Sequence, residues 1–281
     1  MSVGRLFVVG TPLGNLEDLS PRAIRVLGEV ALVAAEDTRT AQKLFARFGI
    51  ATKTTSYFEG NEAERSAWLV ERMVGGDHIA LISEAGMPGV SDPGERLIAA
   101  AVAAGVAIEV IPGPSAAITA LVGSGLPTGR FTFVGFLPRE RGDQIAVLSR
   151  FRLVEETLVF YEAPGRTAAT LVLLAESLSP SRKACVAREL TKIHEEFVRG
   201  TLAELASRYE TEPPRGEVTI VVAGASSDER AEEGAPIDLE ADVDARLAAG
   251  QSPKDIAAAL ALKTGKPRRA IYQLALARKR D

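Results

Sequence analysis

Four short segments concentrate the residues that could hold a small molecule. They are GTPLGN (10–15), EDTR (36–39), SEAGMPGVSDPG (83–94) and PGPSAA (112–117). Each follows an apolar run, and each is rich in glycine, proline or small polar residues. Such loops let backbone approach a ligand and present N–H and C=O groups to it. In a parallel α/β sheet they lie beyond the carboxyl ends of the strands, where ligands bind. Missing motifs narrow the chemistry. GTPLGN does not match the glycine fingerprint of a dinucleotide site, and no nucleoside-triphosphate phosphate loop occurs. Gly113-Pro114-Ser115 faintly resembles a hydrolase elbow, but the second glycine is absent and only His78 and His194 could complete a triad. Two histidines and one cysteine argue against a histidine or cysteine metal site. Cys185, in KACVARE, reads as a core residue. Residue type and spacing lead to a small-molecule α/β enzyme whose pocket is bordered by four loops and capped by a second domain.

The elements that must position these loops are legible as alternating patterns. LFVVG, ALVAAED, HIALISE and AIEVIPG read as strands; PRAIRVLGEV, NEAERSAWLVERMVGG and GERLIAAAVAAG read as helices. That alternation predicts a mainly parallel sheet with helices on its faces. A breaker-rich hinge, SGLPTGR, follows at 124–130. A second strand series then begins, with RFTFVGFLP, TLVFYEAP, KACVAREL, EEFVRGTL and GEVTIVVAG. Several of these lack a helix between them, which predicts a second, mixed sheet. The expected division is an α/β domain over 1–126, a second over 127–224, a flexible acidic linker over 225–238 and a helical extension over 239–281. Within the extension, Ser252, Pro253 and Asp255 predict a capped helix running to about Lys263. Thr264-Gly265 turn the chain and Pro267 opens a basic helix, in the outline of a helix-turn-helix. An oligomer-stabilising helical hairpin is the alternative.

The net charge of −4 does not advertise nucleic-acid binding, but its distribution is uneven. Residues 225–250 carry −6 and residues 251–281 carry +6. No apolar run reaches the ~18 residues of a membrane helix, and the N-terminus lacks the features of a signal peptide. A cytoplasmic protein is expected.

Across these loops the chain resembles the tetrapyrrole methylase family. The resemblance is carried by VVGTPLGNLEDLSPRAIRVL, AAEDTR, SEAGMPGVSDPG, IPGPSAAITAL, SGLPTGRFTFVGFLPR, FYEAPGR, ARELTKIHEE and GEVTIVVAG, in that order. It is nearest the branch of the family that acts on ribosomal RNA. Three places depart from the usual pattern: Glu84 and Met87 stand in an SDAGTP motif, Gly165 replaces a histidine, and FEGNE (58–62) replaces HEHNE. The resemblance implies a two-domain α/β fold with S-adenosylmethionine in the cleft between domains, a small helical extension, and a homodimer. It implies cofactor contacts from Pro12, Ser83, Glu84, Ala85, Gly86, Val90, Ser91, Asp92, Ser115 and Ala116. The second domain would add Tyr161, Ala187, Arg188, Gly216 and Val218. The implied substrate is a cytidine ribose 2′-hydroxyl in the decoding region of 16S rRNA.

A ribose hydroxyl is a weak nucleophile, so a carboxylate near it should help. Glu36, Asp37 and Glu84 are the candidates, with Arg39 able to pair with an acid or hold a phosphate. One acid could instead cap the following helix. Arg139, Arg141, Arg166 and Lys192, with Lys266, Arg268 and Arg269 of the tail, are candidate RNA contacts, although each alone reads as a surface charge. The alternatives are a same-fold methyltransferase acting on a tetrapyrrole or other small molecule, a non-catalytic ribosome-binding protein, and a nicotinamide-dependent oxidoreductase.

Overall fold

The computed structural model describes residues 3–234, 239–264 and 267–279. These form two compact units, 1–225 and 226–281. The first unit opens with β1 (Arg5–Val9), α1 (Pro21–Glu29), β2 (Leu32–Ala35), α2 (Thr38–Phe48), β3 (Thr54–Ser56), α3 (Glu62–Val74), β4 (Ile79–Ile82), α4 (Glu95–Ala103) and β5 (Ala107–Ile111). The strands form a parallel sheet in the order β3-β2-β4-β1-β5.

Why the central strands read as unbroken apolar runs is now plain. Successive side chains of a strand point to opposite faces, and both faces here are covered. Leu32, Ala34, Ile79 and Leu81 pack toward α3 and α4 with Leu69, Met73 and Leu97. Val33, Ala35, Ala80 and Ile82 pack toward α1 and α2 with Val26, Leu27 and Phe45.

After α5 (Ala116–Ser124) the unit continues with β6 (Phe131–Phe136), α6 (Arg141–Ser149), β7 (Thr157–Glu162), α7 (Thr167–Ser177), β8 (Lys183–Arg188), β9 (Glu196–Thr201), α8 (Leu202–Thr211) and β10 (Val218–Val222). This sheet runs β6-β7-β10-β8-β9 and is mixed: β6 and β7 are parallel, and the remaining pairs are antiparallel. One face packs with α7 and α8 through Phe160, Leu171, Leu174, Leu202 and Ile220. The other packs with α5, where Ala117, Ala120 and Leu121 meet Val159, Cys185 and Val221. A boundary at 126 therefore groups α5 with the first sheet by sequence, although its buried face lies on the second. Cys185 is fully buried there, and burial pushes its thiol up to about 11.

Three loops at the carboxyl edge of the first sheet lock together. Thr11 and Gly86 form a two-bond antiparallel bridge, with N–H to O distances of 2.9 and 3.0 Å. Gly10 and Gly113 lie back to back, so a Cβ on Gly113 would sit 2.8 Å from the Gly10 Cα. Backbone cannot yield there as a flexible side chain could. Gly113→Ala should cost roughly 1–3 kcal/mol of stability, the usual range for overpacking. Thermal unfolding checks this, and a Tm equal to wild type would show that the loops separate freely.

The second unit holds α9 (Ser227–Gly234), α10 (Leu239–Ala248), α11 (Pro253–Thr264) and α12 (Arg268–Arg278). Its core is Val243, Ile256, Ala257, Leu260, Ile271 and Ala275. The expected cap of α11 is present: the Asp255 N–H donates to Ser252 Oγ at 3.2 Å. Two findings differ from expectation. The segment read as an open linker contains α9, because Ser226 and Glu229 cap it reciprocally at 3.1 and 2.7 Å. The extension also carries a third helix, α10, whose Glu240 and Asp244 pair with Arg278.

Candidate active site

Between the loops of the first sheet and the strand ends of the second lies a crevice of about 580 Å³. Its first wall is the loop after β4, supplying Glu84, Ala85, Gly86, Met87, Val90, Ser91 and Asp92. Several features hold this loop in shape. The Thr11 hydroxyl donates to the Ser83 carbonyl at 3.3 Å. The Gly94 N–H donates to Glu62 Oε1 at 3.0 Å. Gly86 and Gly89 take left-handed backbone, with φ of 80° and 82°. Ser91 does so at 63° without being glycine, a local strain of the kind found at functional sites.

Three carboxylates converge on this wall. Glu36 directly follows β2, and its Oε2 accepts the Glu84 N–H at 3.2 Å. Burial raises the Glu36 pKa, the Glu84 hydrogen bond opposes that, and the Glu84 and Asp37 charges add to the rise. Asp92 is pushed up to about 6, first by burial and then by the Glu36 charge, with the Ser83 hydroxyl working the other way. An acid whose folded pKa lies above its unfolded value of 3.8 loses stability as pH climbs through about 6. Asp92→Asn should therefore stabilise the fold at pH 8 by about 1–2 kcal/mol, after discounting for solvent screening, and have little effect at pH 4. Denaturant titrations at the two pH values test this; equal effects would contradict it.

The opposite wall comes from the second sheet. Tyr161 of β7 accepts the Ala117 N–H at 3.2 Å and meets Phe133 and Phe136 edge-on, with ring centroids 4.9 and 5.6 Å apart. Burial raises its pKa. Ser115 stands at the start of α5 in extended backbone beside Ala116, without a side-chain capping bond. Gly216 and Val218 line the same wall, with Glu217 between them. Glu162 lies at its base, 3 % exposed. Its carboxylate accepts from Thr170 Oγ1 at 2.6 Å, from the Ala163 N–H at 2.8 Å and from Arg166 Nε at 3.1 Å. Lys192 reaches the rim, with Nζ 2.9 Å from Glu189 and 3.5 Å from Glu217. Burial works against its charge, but these two carboxylates outweigh it and raise the pKa.

The structure separates the candidate residues. Glu36, Glu84, Ala85, Gly86, Val90, Ser91, Asp92, Ser115, Ala116, Tyr161, Gly216, Val218 and Lys192 line the crevice. Others lie outside its lining. Pro12 and Ser83 are buried behind the first wall. Ala187 is buried in the second sheet's core, and Arg188 pairs with Glu196 at 2.7 Å. Asp37 caps α2 by accepting the Arg39 N–H at 2.7 Å, and the Arg39 guanidinium holds the same carboxyl down to about 2. The catalytic candidates thus split: Glu36 and Glu84 face the crevice, while Asp37 and Arg39 satisfy each other at the helix start. Among the candidate RNA contacts, Arg166 is engaged with Glu162 and donates to the Leu137 carbonyl at 3.2 Å. Arg141 pairs with Glu176 at 2.8 Å. Arg139, Arg268 and Arg269 are exposed, and Lys266 lies outside the described residues.

Phe136, Glu162, Ala163, Pro164 and Thr219 line the crevice without having been expected, whereas Leu13, Met87 and Glu217 come from segments already expected to border it. The available signal was the strand-end rule itself. Phe136 and Glu162 end the parallel pair β6 and β7, so inspecting those carboxyl ends finds them.

Comparison with known proteins follows the same outline. The family profile for Tetrapyrrole (Corrin/Porphyrin) Methylases matches residues 5–206. A protein of Synechocystis named ribosomal RNA small subunit methyltransferase I is 42% identical, over 98% of this chain and 98% of its own. A Pseudomonas aeruginosa protein of the same name is 43% identical, over 99% of both. Among solved structures, a uroporphyrin-III C-methyl transferase from Thermus thermophilus complexed with S-adenosyl homocysteine aligns with a TM-score of 0.55 at 23% identity, covering 78% of this chain and 97% of that one. A diphthine synthase aligns with a TM-score of 0.62 at 18% identity, covering 81% and 92%. Both share the fold.

Proposed function

Because the chain belongs to the tetrapyrrole methylase family, we propose that it uses S-adenosylmethionine to methylate the ribose 2′-oxygen of a cytidine in the decoding region of 16S rRNA. The observation that carries this reading is similarity above 40% to small-subunit rRNA methyltransferases along essentially the whole chain, tail included.

The crevice suits the donor chemically. Its volume of about 580 Å³ lies within the usual range for small-molecule sites. Val90, Ala116 and Phe136 offer apolar surface for a planar base. Glu36, Glu84 and Asp92 offer negative charge to a cation. When bound, S-adenosylmethionine supplies a methyl already activated on a positively charged sulfur. The chain's own task is to orient both reactants and exclude water, which is worth several kcal/mol in such transfers. Glu36 can take the hydroxyl proton at Oε1, since Oε2 is held by the Glu84 N–H.

The same Asp92→Asn variant tests the charge argument. Removing one carboxylate should weaken S-adenosylmethionine more than the uncharged-sulfur product, S-adenosylhomocysteine, lowering the preference about 5- to 10-fold, as for loss of one partly screened charge. Calorimetric titration of both ligands measures it; an unchanged ratio would place the sulfur away from Asp92.

RNA recognition on a chain of net charge −4 needs cations gathered locally. Lys192 on the rim and the exposed Arg268 and Arg269 of α12 are the proposed contacts, joined by Arg139. Deleting residues 238–281 should leave the α/β unit folded and cut kcat/KM on small subunits by at least about 10-fold, as loss of several phosphate contacts would. Full activity of the truncated chain would show the tail dispensable. We further propose a homodimer acting in the cytoplasm. Mass mapping of 16S rRNA from cells with and without the gene tests the function: one ribose methyl should vanish with the gene, and an unchanged map would refute it.

A further inference from the structure

The loop joining β8 to β9, residues 189–195, is shaped against its backbone preferences. Glu189 and Thr191 both adopt left-handed φ, at 51° and 63°. For a β-branched residue such as Thr191 this is a true outlier, and such strain persists only where the surroundings over-determine it. They do so here. The Glu189 N–H donates to the Glu217 carbonyl at 3.2 Å, and the Lys192 N–H to the Glu189 carbonyl at 3.0 Å. The Thr191 N–H donates to Glu195 Oε2 at 2.7 Å. Leu190 anchors the loop in the core beneath. Gly216 has no room for a Cβ because the Glu189 carboxylate occupies that space, and Gly14 meets the Lys192 stem from the first sheet in the same way. The Thr191 hydroxyl is buried without a hydrogen-bond partner among the described residues, so the cost is not repaid locally.

What this loop achieves is to hold Ile193 in water. Ile193 is 98% exposed, whereas among the described residues the next most exposed large hydrophobic side chain is Val122 at 68%. Single exposed aliphatics are ordinary and carry no meaning alone. This one differs in being carried on a strained, braced loop, one residue beyond Lys192, which lines the crevice. A crevice that holds a small-molecule donor suits a 2′-hydroxyl offered by a single-stranded or locally opened nucleotide better than one within a continuous helix. Exposed apolar side chains on rigid supports serve as wedges that open a stack, and proteins recognise single-stranded RNA largely through unstacked bases.

We propose that Ile193 is a wedge that packs against a nucleobase of the RNA substrate and holds the target nucleotide unstacked at the mouth of the crevice. This rests on the RNA-methylation reading above. Because Ile193 makes so little contact with the chain, its replacement should leave fold and donor binding intact. The experiment compares wild type, Ile193→Leu and Ile193→Asp with unmodified small ribosomal subunits. It reads S-adenosylhomocysteine affinity, subunit affinity in its presence, kcat/KM for methyl transfer, and oligomeric state by sedimentation. Ile193→Asp should lose at least tenfold in subunit affinity and in kcat/KM. Ile193→Leu should stay near wild type, and donor affinity and oligomeric state should not change. Wild-type kcat/KM in Ile193→Asp would overturn the proposal. So would a shift to a smaller species, which would assign Ile193 to contact with a second copy of the chain. Wild type that binds the donor but neither binds nor methylates subunits would instead overturn the RNA reading itself, and the wedge with it.

Discussion

Ser115→Trp is expected to weaken S-adenosylhomocysteine binding at least about 100-fold, or roughly 2.7 kcal/mol, with little change in stability. Ser115 stands at the start of α5 in extended backbone, φ −140° and ψ 119°, which tolerates any side chain. It makes no side-chain capping bond, so none is lost to the helix. Its side chain lies on the crevice wall near Tyr161, and an indole there occupies space a ligand would need within about 580 Å³. The lost affinity is steric, so raising the temperature or salt should not restore it. Calorimetry on a variant with a wild-type Tm gives a clean reading. Unchanged affinity would mean that the donor sits elsewhere.

Arg166→Met should destabilise the protein by about 2–3 kcal/mol. It removes the guanidinium from a buried carboxylate, and breaking a buried pair from one side is costly because the other charge is stranded. The partial exposure of Arg166 keeps the figure at the lower end. Glu162 would keep its bonds from Thr170 and Ala163 but lose its counter-charge, and the Leu137 carbonyl would lose a donor. In a unit of this size the expected fall in Tm is roughly 5–10 °C. The double variant Arg166→Met/Glu162→Gln should recover part of that loss, since the stranded charge is gone. A single variant as stable as wild type would show that Arg166 is a surface charge after all.

That residue shows where sequence reasoning runs out. Arg166 looked like one more basic side chain able to meet RNA, but its destination is Glu162, four residues back and buried. The spacing was visible; the burial was not, because it depends on α7 and β6 closing over the strand end. Asp37 and Arg39 lie outside the crevice lining for a local reason that was readable, since an acid just before a helix tends to cap it. The first sheet was legible because strands covered on both faces become continuous apolar runs separated by helical periods. Its edge strand β3, only Thr54–Ser56, has no such signature and was not expected. The second sheet was recognisable as mixed from its closely spaced strands. That α5 lies on it was not, because α5 follows directly from the first sheet in sequence. The acidic segment after 225 looked structureless from composition, yet Ser226 and Glu229 sit at capping-box spacing and start a helix there.

The proposal that this crevice binds the donor is tested most directly by a crystal structure with S-adenosylhomocysteine soaked in or grown with the protein. The ligand is expected between the 83–92 loop and residues 216–218, with its sulfur on the side of Glu36 and Asp92. A ligand bound outside that crevice, or no binding at saturating concentration, would contradict the assignment.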